Sequence, residues 1–271
     1  MEEINKKGFV KYHLPCPLCS SSDAVSVNAD NSAYCFSCQE FIKEYDMEAQ
    51  PTIPQTKNEY EVKDFMKESN YAEIIDRNIS EDTCKKFGVT VKMDSMGTIT
   101  NHYYPYHDTQ GAKIATKTRY TKLKEFSIQG NTKDSGLFGQ HLFSKNKYCI
   151  ITEGELDALS AYQMMLKGTY HTPVVSIKNG ISSAVKDIKN SLEWLENNFD
   201  NVIINFDNDP QGREGAMKVA ELFSPGKCKI MHLPEGLKDA SDCLTQNKIQ
   251  IYNKTFWDAK KFAPDGIINA S

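Results

Sequence analysis

The stretch Tyr148-Cys149-Ile150-Ile151-Thr152-Glu153-Gly154-Glu155-Leu156-Asp157 joins an apolar run to a cluster of acidic residues. A second apolar run, Val202-Ile203-Ile204-Asn205-Phe206, ends at Asp207-Asn208-Asp209. Short apolar runs that stop at Gly, Asn or Pro are typical of buried strands. Acids crowded at the exits of two strands repel one another unless a cation lies between them, so the pattern indicates a site for Mg²⁺.

The spacing within each cluster supports this interpretation. Asp207 and Asp209 share one face of an extended segment, where carboxylates about 4 Å apart repel by roughly 4 kcal/mol at an effective dielectric constant near 20. Glu153 and Asp157 share one face of a helical first turn, which tolerates negative charge. The alternative for either cluster alone is an ordinary helix start or a solvated turn. Their occurrence together favours the cation, because open α/β sheets bind ligands at the carboxyl ends of their strands.

The order of the predicted elements indicates the α/β class. From residue 148, strands near 148–152, 173–177, 201–206 and 228–233 alternate with helices near 155–167, 182–197 and 213–223, which predicts a parallel sheet with helices on its faces. The preceding part is mixed, with helices near 60–75 and 80–87 and strands near 98–106 and 112–119. The predicted domains are residues 1–43, a proline-containing linker at 44–58, a mixed α+β subdomain at 59–147, the parallel-sheet domain at 148–245 and a C-terminal segment at 246–271.

Composition limits the function classes. The 271 residues carry a net charge of -4 and contain no apolar run of membrane length, so we expect a cytoplasmic protein with reduced or metal-bound cysteines. Charge is unevenly distributed: residues 111–133 hold six Lys or Arg and one acid, whereas residues 150–242 hold fourteen acids against nine Lys or Arg. A basic segment beside an acidic one suits a protein that binds a polyanion next to metal ions.

Four cysteines near the N-terminus predict a zinc ribbon. Cys16 and Cys19 are separated by fifteen residues from Cys35 and Cys38, and this CxxC…CxxC spacing suits two knuckles that bind one tetrahedral Zn²⁺. About forty residues cannot bury a sufficient core unaided, so bound zinc would supply the missing stability. Unliganded thiols or a redox pair are the alternatives.

Residues next to these cysteines suggest contacts to unpaired bases. Asp30 and Ser32 offer polar groups that read base edges, and Tyr34 offers a ring on which a base stacks. The alternative for Tyr34 is the small core of the ribbon.

The basic segment predicts a phosphate-binding surface. Lys117 and Arg119 lie on one face of the strand near 112–119, and Lys122 and Lys124 follow. These cations would hold a triphosphate or a template backbone, and a solvated charged face is the alternative.

Taken together, these motifs resemble a known family. Glu153-Gly154-x-x-Asp157 with Asp207-x-Asp209 resembles the TOPRIM domain of primases and topoisomerases, and the CxxC…CxxC pattern is similar to the zinc-binding domain of bacterial and phage primases. The order ribbon, linker, basic subdomain and TOPRIM domain resembles, over nearly the whole chain, the primase half of the primase–helicases of short-tailed phages. Segments 135–142, 206–213 and 238–242 resemble further family motifs, and the last resembles the third acidic motif, with Asp239 as the counterpart of its acid.

This resemblance implies a DNA primase that makes short RNA primers from ribonucleoside triphosphates on single-stranded DNA. It implies Mg²⁺ bound by Glu153, Asp157, Asp207, Asp209 and Asp239, with Glu153 either near the metal or acting as a general base. Glu153, Asp207 and Asp209 would be the catalytic residues, and Lys117 and Lys124 match basic-subdomain lysines that contact nucleotide or template.

Other functions stay open from the residues alone. A recombination mediator also joins a zinc motif to a TOPRIM-like domain, and a TOPRIM nuclease would use the same acids. No GxxxxGK[ST] motif occurs in residues 1–271, whereas the family usually continues into a hexameric helicase. We therefore expect the primase part of a longer phage protein, acting in the host cytoplasm with a linked helicase and a replicative DNA polymerase as partners.

Overall fold

The computed structural model describes residues 8–18, 24–36, 40–46, 69–123 and 125–263. The chain divides into two compact units, residues 1–65 and residues 66–271. In the described part of the chain, no helix has the length and apolar character needed to cross a membrane.

The first unit contains a small antiparallel sheet. Its strands, paired in chain order, are β1 (Phe9–Leu14), β2 (Val25–Asn28), β3 (Ala33–Cys35) and β4 (Phe41–Ile42). Among the described residues of this unit, six buried side chains form a core, namely Cys16, Val25, Val27, Ala33, Cys35 and Tyr45. The Tyr45 hydroxyl donates a hydrogen bond of 2.7 Å to the Pro15 carbonyl and so ties the end of this segment to its start.

The second unit begins with a short helix and an antiparallel sheet. Helix α1 (Glu81–Phe87) follows Ser80, whose side chain accepts the Thr83 N–H, and ends at Gly88 in the left-handed conformation. The sheet contains β5 (Thr90–Met93), β6 (Ile99–His107), β7 (Lys113–Tyr120) and β8 (Glu125–Gly130), paired in that order.

These elements agree only partly with the sequence-based expectations. The helix near 80–87 and the two strands near 98–106 and 112–119 are confirmed. The helix near 60–75 is wrong over residues 69–74, where Asn70 and Ile74 form isolated bridges and no helix occurs, and residues 60–68 lie outside the described part. Strand β8 was not predicted, because all six of its residues are exposed and its apolar alternation is limited to Phe126 and Ile128.

A mostly parallel sheet forms the centre of the second unit, as predicted. Its strands are β9 (Asn146–Thr152), β10 (Val174–Ser176), β11 (Phe199–Asn205), β12 (Cys228–Ile230) and β13 (Lys260–Lys261). Their order is β10-β9-β11-β12-β13, and only β13 runs antiparallel to its neighbour. The helices are α2 (Glu155–Met164), α3 (Ala184–Asn198), α4 (Pro210–Ala220), α5 (Ala240–Thr245) and α6 (Ile249–Asp258).

Both faces of this sheet are buried. Along β9, Cys149 and Ile151 belong to the core that includes residues of α3 and α4, whereas Ile150 belongs to the core on the side of α2, α5 and α6. The core on the side of α2, α5 and α6 also includes Tyr104 and Phe138. The parallel sheet and the antiparallel sheet of β5 to β8 therefore share one hydrophobic interior. Strands β9 and β11 pair with Thr152 opposite Asn205, and this register brings both acidic strand ends to one edge.

The C-terminal segment also packs on the sheet, up to Phe262. Tyr252 of α6 is fully buried, and its hydroxyl donates a hydrogen bond of 2.8 Å to Asn205 Oδ1 in β11. Strand β13 extends the sheet beyond β12. The sequence did not predict this helix or this strand.

A buried ion pair links the two sheets. Lys178 and Asp187 are each 4% exposed, with 3.7 Å between Lys178 Nζ and Asp187 Oδ1. Lys178 Nζ also donates to the carbonyls of Thr132 and Ser135, in the loop after β8. Asp187 Oδ2 accepts the Lys178 N–H and the Ser183 hydroxyl, so the carboxylate organises the start of α3.

We expect Lys178→Met to lower the free energy of unfolding of the second unit by about 3–5 kcal/mol, because Asp187 would remain buried without its cation. Urea unfolding followed by tryptophan fluorescence measures this, since both tryptophans, Trp194 and Trp257, lie in that unit. Lys85→Met is the control, because Lys85 and Glu81 form an exposed pair that water screens. Equal stability of the two variants would contradict the prediction.

Candidate active site

Three carboxylates meet at the carboxyl edge of the parallel sheet. Asp157 lies in the first turn of α2, Asp207 follows β11, and Asp239 is the N-cap of α5. One carboxylate oxygen from each lies within 4.8 Å of the other two. The Ser241 N–H donates to Asp157 Oδ1 at 3.1 Å, and the Asp242 N–H donates to Asp239 Oδ1 at 2.7 Å. An all-oxygen set of this kind fits a hard divalent cation such as Mg²⁺.

The electrostatics of this group favour a bound cation. Burial raises the pKa of Asp157 well above its usual value, and the Asp239 and Asp207 carboxylates raise it further. The pKa of Asp239 is also raised, mainly by burial, although its hydrogen bond from the Asp242 N–H acts in the opposite direction. A cation that binds all three carboxylates removes the repulsion, so metal binding and full ionisation of the group are coupled.

Glu153 lies beside these acids at the end of β9. Its pKa is raised, first by burial and then by the charge of Asp207, while the backbone N–H groups of Asp207 and Ile181 hydrogen-bond the carboxyl and oppose the shift. A carboxyl with a raised pKa is a stronger base once ionised, which suits proton transfer.

Asp209 has a different backbone setting from the extended strand that its spacing from Asp207 predicts. It is the N-cap of α4, and its Oδ1 accepts the Gly212 N–H at 2.8 Å. Strand β11 ends at Asn205 and the chain bends at Asn208 and Asp209 before helix α4 begins at Pro210, so Asp207 and Asp209 do not share one extended strand. Asp209 lies outside the three-carboxylate group found among the described residues, although its charge contributes to the raised pKa of Glu153.

In the loop between β11 and α4, the backbone of Gly212 lies very close to the backbone of Asp207. A Cβ atom on Gly212 would lie 2.2 Å from the Asp207 carbonyl oxygen, a distance that no side chain tolerates. Only glycine therefore allows α4 to start this close to Asp207.

The acids line a cavity of about 610 Å³ that also has a basic and aromatic wall. Lys117 of β7 is the central cation of that wall. Its Nζ lies 2.8 Å from Glu155 Oε1 and donates to the Lys178 carbonyl at 2.8 Å. Glu155 Oε1 also accepts the Tyr106 hydroxyl at 2.6 Å, so Lys117 is held in one position. The residues that line the cavity are Arg77, Tyr104, Lys117, Arg119, Phe126, Ile128, Glu153, Gly154, Glu155, Leu156, Asp157, Asn179, Gly180, Asp207, Lys238, Asp239 and Ser241.

The basic residues predicted from sequence fall in three places. Lys117 and Arg119 line the cavity. Lys122 does not; its exposed Nζ lies 4.0 Å from Asp94 Oδ2. Lys124 lies outside the described residues.

Two cavity cations were not identified from sequence. Lys238 Nζ lies 2.8 Å from Asp207 Oδ2, and its position next to Asp239 in the 238–242 motif was a usable signal. Arg77, in the 3₁₀ turn at residues 75–77, lies far from every other motif along the chain and had no such signal.

In the first unit, Cys16 and Cys35 are both buried, while Cys19 and Cys38 lie outside the described residues. The Leu18 N–H donates to Cys16 Sγ at 3.4 Å.

The candidate template-reading residues lie close together in sequence and in space. Asp30 Oδ1 accepts the Ser32 hydroxyl at 2.6 Å. Tyr34 is half-buried and meets the exposed Phe36 edge-on, with 5.1 Å between ring centroids.

We expect Asp157→Asn to raise the midpoint of thermal unfolding in the absence of metal, because the substitution removes a repelled carboxylate and keeps an oxygen for the Ser241 N–H. The same change should abolish the stabilisation by Mg²⁺, which for the original protein is about 2.7 kcal/mol at one hundred times the dissociation constant. Thermal unfolding with EDTA and then with Mg²⁺ measures both effects. Undiminished stabilisation by Mg²⁺ would exclude Asp157 as a ligand.

Comparison with known proteins places this site in a family. Residues 150–244 match the family described as Toprim-like, and residues 69–130 match the N-terminal α+β fold of the bacteriophage T7 DNA helicase/primase. The chain is 30% identical over 269 residues to the DNA helicase/primase of Enterobacteria phage T3, a match that covers 96% of this chain and 45% of that protein. The chain thus spans about half the length of this relative.

Two solved structures extend the comparison. The primase fragment of the bacteriophage T7 primase–helicase has a TM-score of 0.63 and 28% identity, covering 91% of this chain and 99% of that one. A chain from the complex of the T7 lagging-strand DNA polymerase with primase domains bound to an RNA/DNA hybrid has a TM-score of 0.63 and 29% identity, covering 72% of this chain and 94% of that one. The chain therefore belongs to the phage helicase/primase family and corresponds to its primase region.

Proposed function

We propose that this chain is a DNA primase that synthesises short RNA primers on single-stranded DNA from ribonucleoside triphosphates. The observation that carries the proposal is one cavity in which the carboxylates of Asp157, Asp207 and Asp239 face the cations of Lys117 and Arg119. Nucleotidyl transfer needs both: acids for metal ions and cations for phosphates. The similarity to the T7 primase fragment supports the same activity.

In this proposal the acidic residues have two roles, which are binding Mg²⁺ and accepting a proton. Asp157, Asp207 and Asp239 hold Mg²⁺, and Asp209 adds a ligand once metal is bound. Mg²⁺ there would polarise the triphosphate and lower the pKa of the attacking hydroxyl. Glu153, whose pKa is raised, accepts the proton from the 3′-hydroxyl of the primer.

The cations bind the negatively charged substrate. Lys117 is positioned by Glu155 and by the Lys178 carbonyl, and an ammonium group has three donors, so one N–H is left for a phosphate oxygen. Arg119 offers a bidentate contact to phosphate. Lys122 and Lys124 would contact template backbone farther from the acids.

The first unit would bind Zn²⁺ through Cys16, Cys19, Cys35 and Cys38 and read the template through Asp30, Ser32 and Tyr34. The burial of Cys16 and Cys35 and the N–H bond to Cys16 Sγ support the zinc site. The proposed boundaries are 1–43 for the ribbon, 59–147 for the basic subdomain and 148–245 for the Toprim subdomain.

The relatives suggest the partners. The T3 protein is a helicase/primase, and the T7 structure joins primase domains to a DNA polymerase. A linked helicase and a replicative polymerase in the infected host cell are the partners that we propose for this chain.

One assay tests the function against its alternatives. The protein is incubated with a library of single-stranded DNA templates, labelled ribonucleotides and Mg²⁺. Short RNA products are the expected result. Cleaved DNA would instead indicate a nuclease, and DNA binding without either product would indicate a recombination mediator.

A further inference from the structure

Strand β8 places an aromatic ring on the wall of the cavity. It is the edge strand of its sheet, and Phe126 and Ile128, two positions apart, share the face that lines the cavity. The Phe126 side chain is 53% exposed and Ile128 is 45% exposed. Large apolar side chains left open inside a polar cavity usually mark a place where a ligand packs.

The ring lies beside two of the cavity cations, Lys117 and Arg119. Phe126 is the register partner of Arg119, and Ile128 is the partner of Lys117. Lys117 Nζ lies 4.8 Å from the Phe126 ring centroid, and Arg119 Cζ lies 5.9 Å from it. A group that binds here therefore meets a flat apolar ring and two phosphate-binding cations together.

We propose that Phe126 is the stacking surface for the base of a ribonucleotide bound in this cavity. The inference rests on the proposed function and names a contact that its acids and lysines leave unassigned. The phosphates lie between the cations and the carboxylate group, and the base lies against Phe126 with Ile128 at its side. Stacking tolerates all four bases, since each has a π face, which suits a template-directed polymerase.

The competing explanation is that Phe126 only shields the Lys117–Glu155 ion pair from water. Phe126→Leu separates the two roles, because leucine keeps an apolar cover but has no ring. Phe126→Tyr restores the ring. Gln129→Ala is the matched control, because Gln129 is exposed on the same strand and its side chain points to the opposite face.

The experiment compares the affinity of the full chain for ATP and for inorganic tripolyphosphate, each in the presence of Mg²⁺, by calorimetry. We expect Phe126→Leu to weaken ATP binding about 5- to 150-fold, the effect of losing one base–aromatic stack worth about 1–3 kcal/mol. Binding of tripolyphosphate should stay unchanged, Phe126→Tyr should bind ATP like the original protein, and Gln129→Ala should change neither affinity.

Two outcomes would overturn the inference. An equal loss of ATP and tripolyphosphate binding in Phe126→Leu would show a shielding role, and no loss of either would show that the ring makes no contact. Because binding is measured without primer synthesis, the result is independent of the RNA-synthesis assay. Failure of the stacking contact and failure of the primase function are therefore distinguishable.

Discussion

Asp207→Asn is expected to lower the rate of primer synthesis at least about 1,000-fold, with single-stranded DNA binding retained. The Asp207 carboxylate lies close to two other carboxylates and follows the central strand β11. Its substitution therefore removes a central ligand from the proposed Mg²⁺ site. A metal ion supplies several kcal/mol of transition-state stabilisation, and about 4 kcal/mol corresponds to a factor of 1,000. Incorporation of labelled ribonucleotides measures the rate, and fluorescence anisotropy measures DNA binding.

The control for this variant is Asp200→Asn, which removes an exposed carboxylate from the same strand. It should synthesise primers within about twofold of the original rate, since surface substitutions change energies by only about 0.5 kcal/mol. If Asp207→Asn kept more than about a tenth of the rate, a loss of less than about 1.4 kcal/mol, the assignment of the metal site would be wrong.

Asp209 needs a different substitution, because it also caps α4. Asp209→Ser keeps a side-chain oxygen for the Gly212 N–H and removes only the charge. A loss of primer synthesis in this variant therefore reports the metal-binding role proposed for Asp209 and not the unfolding of α4.

Cys16→Ser is expected to eliminate zinc binding and to unfold the first unit, while the second unit stays folded. The described core of the first unit has six side chains, whereas a structural zinc site contributes on the order of 10 kcal/mol. Metal analysis should find one zinc per chain in the original protein and none in the variant. Amide hydrogen exchange should show lost protection in β2 and β3 and normal protection in β9 and β11.

Cys84→Ala is the matched control for zinc content. Cys84 is buried in α1, and burial raises the pKa of its thiol to about 12, so it stays protonated and does not bind metal. A full zinc complement in Cys16→Ser would exclude the ribbon.

The parallel-sheet half of the fold was predictable from local pattern. Buried strands read as continuous apolar runs, and the predicted strands near 148–152 and 201–206 correspond to β9 and β11. Strand β8 had a weaker signal, because only Phe126 and Ile128 alternate with polar residues and neither side chain is buried. Phe126 was missed for that reason.

The cavity was predictable only in part. Glu153, Asp157 and Asp207 stand at strand ends that the sequence marks, and the 238–242 motif pointed to Asp239. The Lys178–Asp187 ion pair could not be predicted from sequence, because a lysine and an acid nine residues apart have the same pattern as ordinary surface charges. Only burial distinguishes them.

By itself the sequence determined which elements form and which residues have the right chemistry, because apolar periodicity and side-chain type are local properties. The tertiary structure decided which of these residues meet. The parallel register of β9 and β11 brings Asp157 and Asp207 to one edge, and the start of α5 adds Asp239, which lies more than eighty residues from Asp157. The structure also turned Asp209 into a helix cap, because the backbone changes from strand to helix at Pro210. Contacts between distant residues depend on packing and register, which no short stretch of sequence encodes.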